Sequence, residues 1–202
     1  MKQILILFIA LILNLFANGE GYKIGDTARD FSLKNIDGKI VSMKNMKNAK
    51  GFIVVFTCNH CPFSKAYESR IIELDKKFSS KNFPVLAINP NDVNIVPEDS
   101  FEKMVENSKE KGFSFPYLHD ETQEIAKAYG ATRTPHVFVL QKVNEKFIVK
   151  YIGAIDNNTE DSEKADKKYI EDAVEALING KNVLISETKA IGCGIKWIKN
   201  IE

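Results

Sequence analysis

Several stretches of the chain have the apolar pattern of β-strands. Gly51–Phe56 is a continuous run of mainly β-branched and aromatic residues, which is typical of a strand buried on both faces. Two short alternating segments, 30–33 and 40–43, flank Asp37-Gly38, and an Asp-Gly pair supplies the positive φ that a tight reversal needs, so they predict a β-hairpin. Further strands are predicted over 83–89, 136–140 and 146–152.

Apolar residues that recur every three or four positions predict a helix directly after the central strand. Phe63, Tyr67, Ile71, Leu74 and Phe78 follow one another at steps of four, four, three and four. Because such steps place side chains on one face of a helix, these five residues should face the core.

Capping residues delimit three further helices. Asp99, with Glu102 three residues later, forms a capping-box arrangement. Each of these helices is followed by a glycine that can take the left-handed conformation at the C-terminal end. The helices are predicted over 99–111, from 120–123 onward, and over 167–178, and the glycines are Gly112, Gly130 and Gly180.

The order strand, helix, strand, helix, helix, strand, strand, helix predicts an α/β domain in which helices cover a mixed central sheet. We expect this domain to span 20–180, with the hairpin at its N-terminal end and a helical insertion. The polar stretch 156–166 is expected to be a solvated loop rather than a site. The tail, 181–202, has no clear periodicity.

The first 19 residues differ from the rest of the chain. Lys2 precedes an apolar run over 4–16, and Ala17-Asn18-Gly19 places small residues two positions apart. This pattern is typical of a signal peptide, so we expect an exported, periplasmic or extracytoplasmic protein that begins near Glu20. The alternatives are an uncleaved membrane anchor and a cytosolic protein.

The charge balance argues against two classes of partner. The chain has 28 basic and 27 acidic residues, and removal of 1–19 takes away only Lys2. The mature chain therefore has no net charge, which predicts neither nucleic acid nor an acidic membrane surface as partner. The membrane would be involved only through an uncleaved N-terminal segment.

The candidate chemistry is a pair of cysteines, Cys58 and Cys61, between the central strand and its helix. A cysteine at a helix N-terminus lies at the positive end of the helix dipole, so we expect Cys58 to occupy that place with a lowered pKa. Cys61, one turn further in, could resolve a mixed disulfide on Cys58. Pro62 helps to define the helix start, and an exported compartment is one in which disulfides persist.

The cysteine pair also has other interpretations. His60 could donate to the Cys58 sulfur or lie near it as a cation, or it could be a solvent-exposed spacer. A structural zinc site needs four ligands, so a lone Cys-x-x-Cys is a weak signal for one. The pair could also be a permanently closed disulfide. The remaining candidate ligands for a metal are His60, His119, His136 and Cys193.

The third cysteine, Cys193, lies in the aperiodic tail far along the chain from the motif. We expect it not to be required for exchange with small disulfides. Packing beside Trp197 is the simplest role for it, and regulatory or resolving roles are the alternatives.

A second element, Thr134-Pro135-His136, places a proline just before a predicted strand. If the Thr134–Pro135 bond is cis, the preceding backbone can pair with an extended substrate; an ordinary trans proline is the alternative. His136 and His119 are expected to be packing or surface residues, and Arg133 a surface cation.

These motifs together resemble the thioredoxin-like superfamily, in the branch shared by thiol-specific antioxidant (redoxin) proteins and extracytoplasmic thioredoxin-like reductases. The resemblance covers about 24–178 and rests on Asp30-Phe31-Ser32-Leu33 with Asp37-Gly38-Lys39, on the segment around the two cysteines, and on Thr134-Pro135-His136. It implies a thioredoxin-like fold in which Cys58 is the exposed nucleophile, Cys61 resolves it, and Thr134 and Pro135 form a cis-proline loop facing them.

The chain departs from the pattern of this superfamily at three places. Asn59-His60 stands where thioredoxin has Gly-Pro between its cysteines, and Thr57 stands where it has a tryptophan. Phe52 replaces the buried aspartate that accepts a proton in thioredoxin. Val55 occupies the position at which peroxiredoxins have a threonine, which weakens a peroxidase interpretation.

We therefore expect a thiol-disulfide oxidoreductase that exchanges disulfides with exported protein partners and an upstream redox partner, without a cofactor or metal. One alternative is a thiol peroxidase in which Cys58 attacks peroxide and Cys61 or Cys193 resolves. The other is a copper chaperone that uses Cys58, Cys61 and a distant histidine, because soft thiolates suit Cu(I).

Overall fold

The computed structural model describes residues 21–199. The predicted signal peptide, 1–19, lies outside the described residues. The strands are β1 (Thr27–Ala28), β2 (Leu33–Asn35), β3 (Ile40–Val41), β4 (Gly51–Phe56), β5 (Val85–Asn89), β6 (Tyr117–His119), β7 (Arg133–Thr134), β8 (His136–Val143), β9 (Lys146–Gly153) and β10 (Cys193–Gly194). The helices are α1 (Pro62–Phe78), α2 (Phe101–Lys111), α3 (Glu124–Tyr129) and α4 (Tyr169–Ile178), with short 3₁₀ turns at Met43–Asn45, Ser79–Lys81 and Pro97–Asp99.

Eight of the strands form one mixed sheet in the order β1-β9-β8-β4-β5-β6-β2-β3. The pairs β4–β5 and β5–β6 are parallel, and β8 is antiparallel to both β4 and β9. The predicted α/β class with a mixed sheet flanked by helices is therefore confirmed. Within residues 21–199, none of the helices combines the length and the apolar character needed to cross a membrane.

The register between β4 and β8 positions the candidate site. Phe56, the last residue of β4, lies opposite His136, the first residue of β8. Cys58 follows Phe56 by two residues and Pro135 directly precedes His136. The two motifs found in the sequence therefore meet at one edge of the sheet, although Cys61 and Thr134 are 73 positions apart along the chain.

The core has two halves, one on each face of the sheet. Along β4, Phe52, Val54 and Phe56 belong to one cluster of buried residues, and Ile53 and Val55 belong to the other. All six residues of β4 are buried, as the continuous apolar run predicted. Burial of each large apolar side chain contributes roughly 1.5–3 kcal/mol, so β4 is firmly anchored in the core and can hold the loop that follows it in place.

Helix α1 packs on the second of these halves. Tyr67, Ile71, Leu74 and Phe78 are buried there, as their spacing predicted. Phe63 lies in the first turn of α1 but is 38% exposed, so the buried face of the helix begins one turn later than its spacing predicted.

The predicted bounds of the other helices need small corrections. The N-cap of α2 is Ser100, whose side chain accepts a hydrogen bond from the backbone N–H of Lys103, and not Asp99. Helix α3 begins at Glu124 rather than at 120–123, because Gln123 has a left-handed backbone conformation; the Asp120 carboxylate caps the helix by accepting hydrogen bonds from the N–H groups of Ile125 and Ala126. The glycines predicted to follow α2 and α3 hold left-handed C-cap positions.

The segment 156–166 is not purely solvated. Its first residue, Asp156, is buried and forms an ion pair of 2.6 Å with Arg70 of α1. The Tyr67 hydroxyl donates to the same carboxylate at 3.0 Å. The loop is thus tied to α1 at its N-terminal end, while several of its other residues are exposed.

Candidate active site

The cysteine motif forms the turn between β4 and α1. Pro62 is the first residue of α1 and Cys61 is its N-cap. The prediction that Pro62 lies in the first turn is confirmed, but the helix begins later than we expected. Cys58 lies three residues before the N-cap, so it does not occupy the helix terminus, and Cys61 does not lie one turn inside the helix.

Cys193 lies in this site and not apart from it. The structure contains a disulfide between Cys61 and Cys193, residues 132 positions apart whose Cα atoms are 6.2 Å apart, and it leaves Cys58 as a free thiol. Cys193 therefore contacts the motif although the two lie far apart along the chain, while its dispensability for exchange with small disulfides stays a prediction. Sequence distance misled because residues 186–198 run back across the domain to the motif.

Cys58 is surrounded by hydrogen-bonding groups but shielded from water. Cys58 is only 3% exposed. Its Sγ lies 3.1 Å from Thr134 Oγ1 and 3.6 Å from Ser64 Oγ. The backbone N–H of Cys61 is also hydrogen bonded to this sulfur. The family resemblance implied that Cys58 is exposed, but it is buried in the form of the protein that has the Cys61–Cys193 disulfide.

The pKa of Cys58 is raised, whereas the sequence predicted that it is lowered. Burial is the main cause and the negative charge of Asp99 is the second, while the hydrogen bonds from Thr134, Ser64 and the Cys61 backbone act in the opposite direction. Because α1 starts at Pro62, its dipole acts less directly on Cys58 than a helix start at Cys58 would. Desolvation then outweighs the favourable contacts.

Asp99 organises the loop between the cysteines. One of its carboxylate oxygens accepts a 2.6 Å hydrogen bond from the backbone N–H of Asn59, and the other lies 2.6 Å from His60 Nδ1 and accepts from Asn91 Nδ2 at 2.7 Å. Asp99 is fully buried. Sequence analysis missed this role because Asp99 and Ser100 are both good N-cap residues and nothing local distinguishes them.

His60 is held against Asp99 on the same side as the Cys58 sulfur. A sulfur, imidazole and carboxylate ligand atom from Cys58, His60 and Asp99 lie within 4.8 Å of one another. Such a trio could hold a metal ion. The Asp99 oxygens already accept hydrogen bonds from Asn59, His60 and Asn91, so the arrangement fits the positioning of His60 without an ion.

Thr134 lies next to all three cysteines. Its hydroxyl contacts Cys58, its carbonyl oxygen lies 3.4 Å from Cys61 Sγ, and it lies opposite Cys193 in the β7–β10 pair. The Thr134–Pro135 bond is cis, which is the conformation in which the preceding backbone was expected to pair with an extended substrate. Thr134 is completely buried, so its contacts are made within the protein.

The neighbours of the proline have structural roles. His136 is buried, and burial together with the nearby Arg133 lowers its pKa to about 4. A neutral ring fits its contact with the backbone N–H of Thr132, which donates to Nδ1 at 3.4 Å. Arg133 is exposed, as expected, but its guanidinium donates to the carbonyl of Gly192 at 2.8 Å. The other candidate ligand, His119, is half-buried in β6.

Comparison with known proteins identifies the family of the chain and several similar proteins. Residues 24–156 match the model of the AhpC/TSA family. The thiol-disulfide oxidoreductase ResA of Bacillus anthracis is 25% identical over 138 residues, which are 68% of this chain and 75% of that protein.

Two solved structures relate to the fold. An uncharacterized conserved protein from Geobacillus kaustophilus is 35% identical, with a TM-score of 0.81 over 88% of this chain and 94% of its own. A thioredoxin family thiol:disulfide interchange protein from Chlorobium tepidum TLS is 22% identical, with a TM-score of 0.51 over 63% of this chain and 85% of its own. The second similarity is one of fold, and it confirms the thioredoxin-like architecture.

Proposed function

From the premise that the chain belongs to the AhpC/TSA family, we propose that it is a thiol-disulfide oxidoreductase that acts through Cys58 and Cys61. The observation on which this rests is the placement of one free thiol and one disulfide around a single residue, Thr134. The similarity to proteins named thiol-disulfide oxidoreductase supports the same conclusion.

The exchange follows from the two positions. The Cys58 thiolate attacks one sulfur of a partner disulfide, the partner's S–S bond breaks, and its second sulfur leaves as a thiolate. The Cys61 thiolate then attacks Cys58 Sγ, which releases the partner as a dithiol and leaves a Cys58–Cys61 disulfide. Two electrons pass from the pair to the partner, and the reverse sequence oxidises a partner dithiol.

Three residues support this exchange by position. Thr134 donates or accepts at the Cys58 sulfur, and Pro135 fixes the loop that presents Thr134. His60, held by Asp99, adds a polar group beside the same sulfur. These contacts can stabilise negative charge on Cys58 when the site opens to a partner and desolvation is reduced.

The partners are exported proteins with thiols or disulfides, together with an upstream redox partner. The basis is the N-terminal pattern of Lys2, an apolar run and Ala17-Asn18-Gly19. N-terminal sequencing of protein from the native host checks this, and an intact Met1 in a soluble cytosolic fraction would rule it out.

A thiol peroxidase is the second candidate. The observation that favours it is the free Cys58 thiol with hydroxyls of Thr134 and Ser64 at 3.1 and 3.6 Å, donors that a bound peroxide could also use. A copper chaperone is not favoured by this form of the protein, because a Cys61 sulfur in a disulfide offers no thiolate to Cu(I).

Reduction of insulin by the protein, driven by dithiothreitol, tests the proposed function. We expect Cys58→Ser to lose the activity completely, because the attacking sulfur is gone. Cys61→Ser that is reduced, freed of dithiothreitol and then mixed with insulin should instead accumulate a mixed disulfide between Cys58 and insulin, because the resolving sulfur is gone. Full activity in Cys58→Ser would exclude Cys58 as the nucleophile and with it the proposed function.

A further inference from the structure

Residues 186–198 form a strap over the active site. At its start the strap runs beside β9, with hydrogen bonds from Ile152 N to Ser186 O (3.0 Å) and from Thr188 N to Ile152 O (2.9 Å). At its end Lys196 N donates to Asn91 Oδ1 and Ile198 N to Gln123 Oε1, at 2.9 and 2.8 Å. The strap is therefore fastened on both sides of Cys193.

The middle of the strap is paired with the strand that enters the cis-proline loop. Cys193 lies opposite Thr134 and Gly194 opposite Arg133 in the antiparallel β7–β10 pair. This is the backbone at which the sequence led us to expect an extended substrate. The chain's own strap thus lies in the place of a substrate strand, and it presents a cysteine to Cys61.

Glycine makes this close approach possible. A Cβ atom added to Gly192 would collide with the carbonyl oxygen and carbon of Thr134, whereas a Cβ added to Gly194 would meet nothing within 4 Å. The glycines on the two sides of Cys193 therefore differ in whether there is room for a side chain. Only a side chain at Gly192 would push the strap away from Thr134.

The three cysteines also differ in their access to solvent. Cys58 is 3% exposed and Cys61 is fully buried, while Cys193 is partly exposed. An external thiol that approaches this form of the protein therefore meets Cys193 before the other two.

We propose that Cys193 is a third redox cysteine, and that the strap is a tethered internal substrate that moves the disulfide between the buried pair and the surface. The proposal rests on the proposed function of Cys58 and Cys61. In the step, the Cys193 thiolate attacks Cys61 Sγ of a Cys58–Cys61 disulfide, the Cys61–Cys193 bond forms, and Cys58 leaves as a thiolate. One disulfide breaks and one forms, so no external oxidant is needed, and the proton lost by Cys193 is balanced by the proton that Cys58 takes up.

The structure corresponds to the product of this step, with a Cys61–Cys193 disulfide and Cys58 as the free cysteine. The reverse step, attack of Cys58 on Cys61, frees Cys193. Pairing of the strap with β7 raises the effective concentration of Cys193 at Cys61 far above that of an untethered thiol. Weaker pairing should therefore shift the equilibrium toward the Cys58–Cys61 disulfide.

The test is disulfide mapping of the full chain, oxidised and equilibrated in a glutathione buffer, then quenched with acid, alkylated and digested without reduction. In the wild-type protein and in Gly194→Ala we expect Cys61–Cys193 to exceed Cys58–Cys61. In Gly192→Ala the ratio of the two should fall by about tenfold or more, since even a small part of a tethering advantage of ~10²–10⁴ has that effect. Arg133→Ala, which removes an exposed side chain that holds the strap, should lower the ratio in the same direction.

A wild-type chain that contains only Cys58–Cys61 at equilibrium would overturn the proposal, and so would equal ratios in Gly192→Ala and Gly194→Ala. Either result leaves the insulin assay with Cys58→Ser and Cys61→Ser unaffected, so the failure of the strap proposal is separable from that of the proposed function. If Gly192→Ala does not fold, Arg133→Ala gives the answer alone.

Discussion

At the scale of single residues, the environment of Cys58 is the feature that most departs from expectation. Its position after β4 could be predicted from the sequence, as could its neighbours Thr134 and Pro135. Its pKa could not, because burial and the charge of Asp99 come from tertiary packing across 41 positions of sequence. The prediction of a lowered pKa relied on Cys58 lying at the N-terminus of α1, but the helix starts three to four residues later than predicted.

Asp99 provides a direct check of this electrostatic account. In the oxidised protein Cys58 is the one free thiol, so thiolate absorbance near 240 nm follows its titration. A raised pKa means less thiolate at neutral pH, and attack of Cys58 on Cys61 should therefore become faster as pH rises above neutrality. We expect Asp99→Asn to move the titration midpoint of Cys58 to lower pH, because a nearby negative charge is removed.

Glu98→Gln is the matched control, because Glu98 is the exposed neighbour of Asp99 and its backbone carbonyl, not its carboxylate, accepts from Asn59. It should leave the midpoint of Cys58 near that of the wild-type protein. A wild-type midpoint below that of an ordinary cysteine, or equal shifts in the two variants, would contradict the assignment.

At the scale of elements, strands and helices with long apolar patterns were predictable and short ones were not. The central strand β4 and helix α1 are set by their own apolar residues. The two-residue strands β1, β7 and β10 consist of backbone pairing with little side-chain pattern, so they can be recognised only after the partner strands are in place. The same reason explains why the strap escaped prediction.

The loop that follows β9 shows a second limit of pattern-based prediction. The polar composition of 156–166 predicts a solvated loop, but polarity does not reveal that Asp156 is buried against Arg70 of α1. Their side chains are 9% and 5% exposed, and the guanidinium also donates to the carbonyls of Asn158 and Thr159. Removal of Arg70 would leave a buried carboxylate without its cation.

We expect Arg70→Met to lower the free energy of unfolding by about 3 kcal/mol or more, because breaking a buried ion pair from one side leaves an uncompensated charge. Chemical denaturation followed by circular dichroism measures this. Lys103→Met, which removes the cation of an exposed pair with Glu106, is the control and should change stability little. Equal stability of the two variants would show that the Arg70–Asp156 pair does not anchor the loop.

At the scale of the whole molecule, the sheet order brings together residues that the chain keeps far apart. The pairing of β4 with β8 joins the cysteine motif to Thr134, and the strap adds Cys193 from the C-terminal end. The contact between the cysteine motif and Thr134 could be predicted, because both motifs flank predicted strands of one sheet. The contact with Cys193 could not, because the strap is held by backbone hydrogen bonds to side chains such as Asn91 and Gln123 that carry no sequence pattern.

This arrangement favours disulfide exchange over peroxide reduction. Exchange needs a thiolate, access and a second sulfur, and the site has three cysteines around Thr134. Peroxide reduction needs, in addition, donors placed around the departing oxygen. The threonine that peroxiredoxins place three residues before the cysteine is Val55 here, and burial and Asp99, the leading influences on the pKa of Cys58, disfavour a thiolate in the closed form.

The most direct test of the central claim compares two second-order rate constants of the fully reduced protein, one with a small disulfide such as oxidised glutathione and one with hydrogen peroxide. We predict that the disulfide rate constant is the larger at neutral pH, and that Cys61→Ser forms a stable mixed disulfide at Cys58. A peroxide rate constant far above the disulfide rate constant, with sulfenic acid on Cys58 in Cys61→Ser, would contradict the account and identify a thiol peroxidase.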